Sequence, residues 1–292
     1  MPRYRVVHNN LYSFHETVSH CSLEARLKPV DNEKQTVEFS QFVVRPLAST
    51  QRTEQDGFGN HVTHFEISRG LQSFQLSSIH TVSTLPLVAL DLTSSTPWQQ
   101  VTNIAAQDAS FETRYFDTSN SSSYLVFNQD LAAYAGVSFV PGRPLMDGAY
   151  DLMQRIYKDF QYDPRATKVD TTAIEAFVLK RGVCQDFSHI AIACLRSLGL
   201  PVRYVSGYVD TKTASGNPRR YGGDVSHAWF SVYDPGHGWV DFDPTNNKMV
   251  DDTYITVAYG RDYHDVSPLK GHVDSHGKNQ LKVSVDMSVL ND

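Results

Sequence analysis

The chain has 292 residues, 40% apolar and 20% charged, with a formal net charge of −6 at neutral pH. This is the composition of a folded globular protein, and it excludes disordered, collagen-like and coiled-coil classes. No run of lysine and arginine supplies a footprint for nucleic acid, and no apolar stretch reaches the roughly 20 residues that span a bilayer. The opening residues, MPRYRVVHNN, lack the apolar core of an export signal, so a cytoplasmic protein is expected. Three cysteines, Cys21, Cys184 and Cys194, are an odd number without repeated spacing, which fits neither a disulfide framework nor a zinc knuckle.

Residues 3 to 90 read as strands. Tyr4, Val6 and His8 alternate with Arg5, Val7 and Asn9, and the runs 36–44, 61–67 and 77–82 are rich in Val, Ile, Thr and Phe. DGFGN at 56–60 is a tight-turn cluster whose glycines accept positive φ. The pattern predicts an antiparallel β-sandwich-like domain over 1–95. Ser/Thr/Pro and Ser/Asn clusters at 93–97 and 117–123 predict loops, so 96–140 is read as a connecting region and 141–292 as a second domain.

From 143 to 160 the period becomes helical, with Leu145, Ala149, Leu152, Met153 and Ile156 on one side. Thr172 and Glu175 have the spacing of a capping box for a short helix that ends near Gly182. A second helix begins at Cys184, carries a stripe of Phe187, Ile190, Ala191, Cys194, Leu195 and Leu198, and stops at LGLP. Strands follow at 202–208, 226–233 and 239–243, the last two joined by a short DPGHG turn, and further strands at 255–259 and 281–289. The fold class is α+β, with helices packed on an antiparallel sheet in the second half.

Cys184 stands where a thiolate is favoured. Backbone N–H groups in the first helical turn lack intrahelical partners, and the helix dipole is positive there. A nucleophilic cysteine needs a base and a group that orients the base. His227 and the aspartates of WVDFDPT lie on the two strands of the predicted hairpin, which brings an imidazole beside a carboxylate. Asp241 and Asp243 share one face of their strand, so alternation does not choose between them.

Three blocks, GVCQDFSHIAIACLRSLGLPVRYVSGY, SHAWFSVYDPGHGWVDFDPTNN and ITVAYGRDYHDVSP, resemble the core of the bacterial transglutaminase-like family, within the papain-like cysteine-protease superfamily. LEARLKP, VVRP and the DGFGN turn resemble the β-rich region that precedes this core in many bacterial members. The resemblance implies Cys184 as nucleophile, His227 as general base and later acid, and Asp243 as the residue that orients the imidazole. It implies acyl transfer through a thioester on a peptide or protein substrate, with water or an amine as acceptor. Hydrolysis is the expected outcome, amine transfer the alternative, and a non-catalytic binding module on the same fold a third reading. No EF-hand loop, HExxH or CxxC spacing is present, so no metal or cofactor is expected.

The remaining candidates receive structural readings. Cys194 and Cys21 are expected in the core. His189, five residues beyond Cys184, turns away from the cysteine and is given a surface or structural role. His237 is placed in a solvated turn, Asp186 is read as complementing the helix dipole, and Asp241 as a surface or supporting carboxylate. Trp229 and Trp239 are read as core or cleft walls. The segment 260–263 either lines the cleft or forms a turn held by Arg261 and a carboxylate. The polar segment 210–224 is expected to be a loop beside the site.

Overall fold

The computed structural model describes residues 1–86, 90–107, 122, 124–211, 225–274, 277 and 279–290. The loop expected at 210–224 lies outside the described residues from 212 onward, as does most of the 117–123 cluster.

The N-terminal strands form two antiparallel sheets. In the first, Arg3–Val18 lies between Asn279–Val289 and Leu71–Thr84, and Gln35–Arg45 closes the far edge. In the second, the order is Leu269–Val273, Cys21–Ala25, His61–Ile67 and Thr50–Gln55. The alternation read at the N-terminus is the burial pattern found, with Tyr4, Val6, His8 and Asn10 inward. Phe14, Leu23, Phe65, Phe74 and Leu76 fill the space between the sheets.

Two differences from the sequence reading concern boundaries. The span 141–292, read as a second domain, includes the strands Leu269–Val273 and Asn279–Val289, which hydrogen-bond into the N-terminal sheets. Alternation identifies a strand but carries no information about its partner. The region 96–140, read as a connection, contains the helices Trp98–Gln107 and Gln129–Ser138.

The helices Leu145–Asp159 and Cys184–Ser197 pack on a five-stranded antiparallel sheet. Its order is Lys248–Met249, Gly238–Asp243, His227–Asp234, Val202–Val209 and Tyr254–Gly260. Alternation gives this sheet two distinct faces. Phe230, Val232 and Phe242 join Leu152, Met153, Ile190 and Leu195 on the helical side. Trp229, Val205, Val209, Val250 and Tyr254 form a separate cluster on the other. Gly207 is required where the sheet is tightest, since an added Cβ would lie 2.1 Å from the Ile255 carbonyl oxygen and 2.4 Å from the Trp229 ring.

The N-terminal region is joined to this sheet by specific polar bonds. The carboxamide of Gln35 donates to the Thr256 carbonyl (2.8 Å) and accepts from the Thr256 N–H (2.8 Å). The carboxamide of Asn60, from the DGFGN turn, does the same to Tyr259, at 2.7 Å in both directions. Lys34 pairs with the buried Asp241 at 2.6 Å. Burial opposes the charge on Asp241, but Lys34 and then Arg203 hold its carboxyl below the usual range. This ion pair, rather than a surface position, is the role of that aspartate.

A line of polar residues is buried where the first sheet meets the Val202–Val209 strand. His8 Nδ1 lies 2.9 Å from the Tyr208 hydroxyl, and His80 Nδ1 lies 3.0 Å from Ser40 Oγ. Burial pushes both imidazoles down, His8 to about 4 and His80 to about 3. The folded chain therefore keeps them neutral at pH values where the unfolded chain protonates them. Their contribution to stability is whole above the free value of 6.5 and is lost as the pH falls toward 4 and 3. Denaturant unfolding at a series of pH values should show stability declining from pH 6.5 downward. The C–H resonances of His8 and His80 should stay at their neutral positions at pH 5.5; a normal titration of either would contradict the burial of a neutral ring.

Candidate active site

The segment before Cys184 is shaped by Lys180 and by Gly182, the residue at which the sequence reading ends the helix. The helix Ala173–Leu179 has its Thr172–Glu175 capping box, but it ends at Lys180, which adopts the left-handed conformation with φ 54°. That conformation disfavours a residue with a Cβ. The Lys180 ammonium lies over the rings of Phe177 (3.7 Å) and Phe160 (4.2 Å), contacts that offset part of the strain. Gly182 does not terminate the helix. It sits in a two-residue parallel bridge to Gln161–Tyr162. Its missing side chain makes room for Asp186, whose Oδ2 would lie 2.5 Å from an added Cβ.

Asp186 uses that space to cap its own helix. Its carboxylate accepts from the Val183 N–H (2.8 Å) and from Thr167 Oγ1 (2.7 Å), which ties the 163–171 loop to the helix start. Burial pushes its carboxyl up despite these donors. Cys184 is the first residue of the helix and is partly exposed. Cys194, three turns on, is fully buried, and burial pushes its thiol up to about 12. Cys21 is likewise buried.

His227 opens its strand and Asp243 closes the neighbouring one; both are buried. His227 Nε2 and Asp243 Oδ2 are 2.7 Å apart. The same oxygen accepts from Asn246 Nδ2 (2.7 Å) and from the Tyr254 hydroxyl (2.8 Å). Oδ1 accepts the backbone N–H groups of Thr245 (2.9 Å) and Asn246 (3.2 Å). Asn246 Nδ2 also lies 3.3 Å from His227 Nε2, a contact between two donors that share one acceptor. Burial opposes charge on Asp243, but the His227 ring and these donors hold its carboxyl below the usual carboxylate range.

With Nε2 engaged by Asp243, His227 Nδ1 is buried and without a hydrogen-bond partner. Cys184 is near enough to act on this ring electrostatically. Burial alone would lower the imidazole; Asp243 and then Cys184 outweigh it and raise it to about 10. The arrangement therefore holds a charged imidazole between a carboxylate and a thiol. Nucleophilic catalysis by cysteine uses such a set: a thiol at a helix start, an imidazole beside it, and an anchor for the imidazole.

The structure thus brings His227 and Asp243 into contact and sets Cys184 beside the ring, with Asp241 committed to Lys34. His189 is not at the surface. It is buried, accepts the Tyr263 N–H at Nε2 (3.1 Å), and lies between the Tyr124 and Tyr204 rings. His237 is held by Asp234 at 2.6 Å rather than free in solvent. Arg261 forms the turn-closing pair with Asp265, at 2.8 and 3.0 Å. Trp229 is core, and the Trp239 ring packs under Arg203 at 4.1 Å. Tyr254 and Asn246 escaped the sequence reading. Asn246 sits within the DPTNN block, whereas Tyr254 is marked by no motif. Among the described residues there is no cluster of three or more His, Cys, Asp or Glu able to hold a metal.

Comparison with known proteins places these features in families. The model of the transglutaminase-like superfamily matches residues 139–244, which include Cys184, His227 and Asp243. That of the bacterial transglutaminase-like N-terminal region matches 4–83. An uncharacterized protein of Mycobacterium tuberculosis is 34% identical over 293 aligned residues, covering 98% of this chain and 92% of its own. A protein-glutamine gamma-glutamyltransferase of Pseudomonas aeruginosa is 32% identical over 98 residues, 32% of this chain and 15% of that one. The crystal structure of a Cytophaga hutchinsonii protein named a "Putative Cysteine Protease" superposes over 100% of this chain and 91% of its own, with TM-score 0.73 and 20% identity.

Two substitutions test the site's construction. Gly182→Ala should cost about 1–3 kcal/mol in denaturant unfolding, because the new methyl displaces the carboxylate that caps the Cys184 helix. In Asp243→Asn the imidazole loses its counter-charge and burial governs it. NMR should then find His227 protonated at pH 8 in the parent chain and neutral in the variant. Stability follows with a definite sign. The contribution of a raised imidazole is whole below 6.5 and is lost as pH rises toward about 10, and the variant should lack this alkaline decline.

Proposed function

The chain belongs to the transglutaminase-like superfamily, and from that premise we propose that it is a cysteine-dependent acyl-transfer enzyme acting on peptide or glutamine-type amides. The observation that carries the proposal is the buried His227–Asp243 pair, 2.7 Å apart, with the free ring nitrogen left for Cys184. In this reading Cys184 Sγ attacks the amide carbonyl carbon as the thiolate. The carbonyl oxygen becomes an oxyanion, for which the Cys184 backbone N–H at the helix start is the donor. His227 gives its Nδ1 proton to the departing amine, the C–N bond breaks, and a thioester remains. Water then attacks the thioester carbonyl, His227 takes a proton from it, and the acid leaves as the thiolate is restored. If an amine attacks in place of water, the same steps yield a new amide.

Hydrolysis is the outcome we favour, on a peptide or protein substrate. Amine transfer stands second, supported by the partial match to a protein-glutamine gamma-glutamyltransferase. No helix among the described residues is long and apolar enough to cross a membrane. The three free thiols suit a reducing compartment, and we place the protein in the cytoplasm.

Iodoacetamide near neutral pH should modify Cys184 first and leave the buried Cys194 intact; equal labelling of the folded protein would remove the basis for an activated thiolate. Incubation with a glutamine-containing peptide library, with and without a primary amine, separates the outcomes by mass spectrometry into cleavage, deamidation and amine incorporation. Cys184→Ala should abolish all three and change stability by less than about 1 kcal/mol.

A further inference from the structure

We infer that the N-terminal β-region is a working part of the catalytic centre: Gln35 fixes the edge strand Tyr254–Gly260 so that the Tyr254 hydroxyl holds Asp243 in line with His227. The inference rests on the Cys184–His227–Asp243 reading and assigns Tyr254 and Gln35 as positioning residues.

A carboxylate at the end of a strand has a free side-chain torsion unless other groups fix it. The two backbone donors of Thr245 and Asn246 meet Oδ1 and leave Oδ2 to be aimed. Three donors converge on Oδ2: His227, Asn246 and Tyr254. Asn246 is three residues along the same chain and moves with Asp243. Tyr254 is the donor among them that comes from a different strand of the far sheet edge, with Val202–Val209 and His227–Asp234 between. It therefore references the carboxylate to the sheet as a whole. Its ring is held edge-on to Trp229, at 5.4 Å between centroids and 84°, so the hydroxyl has one accessible direction.

The position of Tyr254 depends on an edge strand. Tyr254 pairs with Val209 and Thr256 with Gly207, and the register shifts between Thr256 and Ala258. At a shift of this kind the ladder is locally weak. Gln35 meets the strand there, satisfying both the N–H and the carbonyl of Thr256 with one carboxamide. It also donates to the Val30 carbonyl at 2.6 Å, and the Val30 N–H adds a further bond to the Thr256 carbonyl at 3.3 Å. Gln35 is itself buried, at 3% exposure, so these bonds are made out of contact with solvent. The line of contacts is continuous: Gln35 to Thr256, two residues along to Tyr254, then to Asp243 and His227.

Two measurements on the full chain test this, and neither needs a substrate. The first is hydrogen exchange of the His227 Nε2–H resonance by NMR, which reads the bond to Asp243 whatever the enzyme does. The second is the pH profile of Cys184 alkylation by iodoacetamide. Tyr254→Phe keeps the ring and removes the donor. It should speed Nε2–H exchange about tenfold, a value expected for a lost bond to a charged group, and move the onset of fast alkylation to higher pH. Gln35→Met should act in the same direction, and in the Tyr254→Phe background it should add little. Gln35→Asn, which keeps donor and acceptor but withdraws them by one methylene, should fall between and serves if the methionine variant does not fold. Unchanged exchange in Tyr254→Phe would overturn the inference, and fully additive effects of the two substitutions would overturn the part assigned to Gln35. If Cys184 alkylation in the parent chain resembles that in Asp243→Asn, it is the triad reading that fails. The exchange measurement still decides the role of Tyr254.

Discussion

An ionised carboxylate fully removed from water costs several kcal/mol unless its lone pairs are met by donors, and the second half of this protein is arranged to meet that demand at Asp243. Five donors do so: two backbone N–H groups of the turn that follows it, a carboxamide, a phenol and an imidazole. Each requirement constrains the fold. The turn at 244–247 must begin where the strand ends, the His227 strand must lie directly alongside, and the edge strand must bring its tyrosine across the sheet. The return is a fixed negative charge, which keeps the neighbouring imidazole charged in a place where burial alone would neutralise it. The helix start that carries Cys184 is fixed by analogous means, since Asp186 fits only because residue 182 has no side chain.

The attachment of the N-terminal region follows from the chemistry of a sheet edge. An edge strand presents N–H and C=O groups in a row, and left open it invites pairing with other chains. Here the two residues Thr256 and Tyr259 are each met by a carboxamide, which offers a donor and an acceptor at the spacing of a peptide unit. Side chains thus replace a further strand. The Lys34–Asp241 pair adds a charged contact on the sheet face opposite the helices. A region that resembles an appended β-module in sequence is in this way bonded to the edge strand Tyr254–Gly260 and, through Lys34, to the strand that ends at Asp243.

Much of this was legible in the chain because the signals are local. The helix Leu145–Asp159 shows its period, the Thr172–Glu175 box is where its spacing indicates, and the Asp234–Gly238 turn joins the hairpin that sets His227 near Asp243. Cys184, His227 and Asp243 lie in the expected elements. What escaped depends on partners distant in sequence. Asp241 and Asp243 are equivalent by alternation, and what separates their environments is Lys34, more than 200 residues from Asp241, on one side and His227 and Tyr254 on the other. Tyr254 sits in a run with no motif, and its importance lies in one hydroxyl. The helix Gln129–Ser138 is the exception, since its signal is local: Asn128 caps it, and Leu131, Ala135 and Ser138 face inward at helical spacing. Gly182 was read as a helix stop because glycine commonly is one. Its actual use, making room for a neighbour's carboxylate, leaves no trace in the local pattern.

The pairing of Asn279–Val289 with Arg3–Val18 has a consequence for how this protein acquires its shape. Tyr4 lies against Val289 and Phe14 against Asn279, so strands from opposite ends of the chain complete one sheet. During synthesis the first strand emerges with a partner at 71–84 on one side and none on the other until almost the whole sequence has followed. A contact of such long sequence separation is costly in loop entropy and slow to form. Until it forms, a long strand edge stays open to capture by another chain. Once it forms, Arg3–Val18 is covered on both sides, and the edge passes to Asn279–Val289, a strand that is exposed along most of its length.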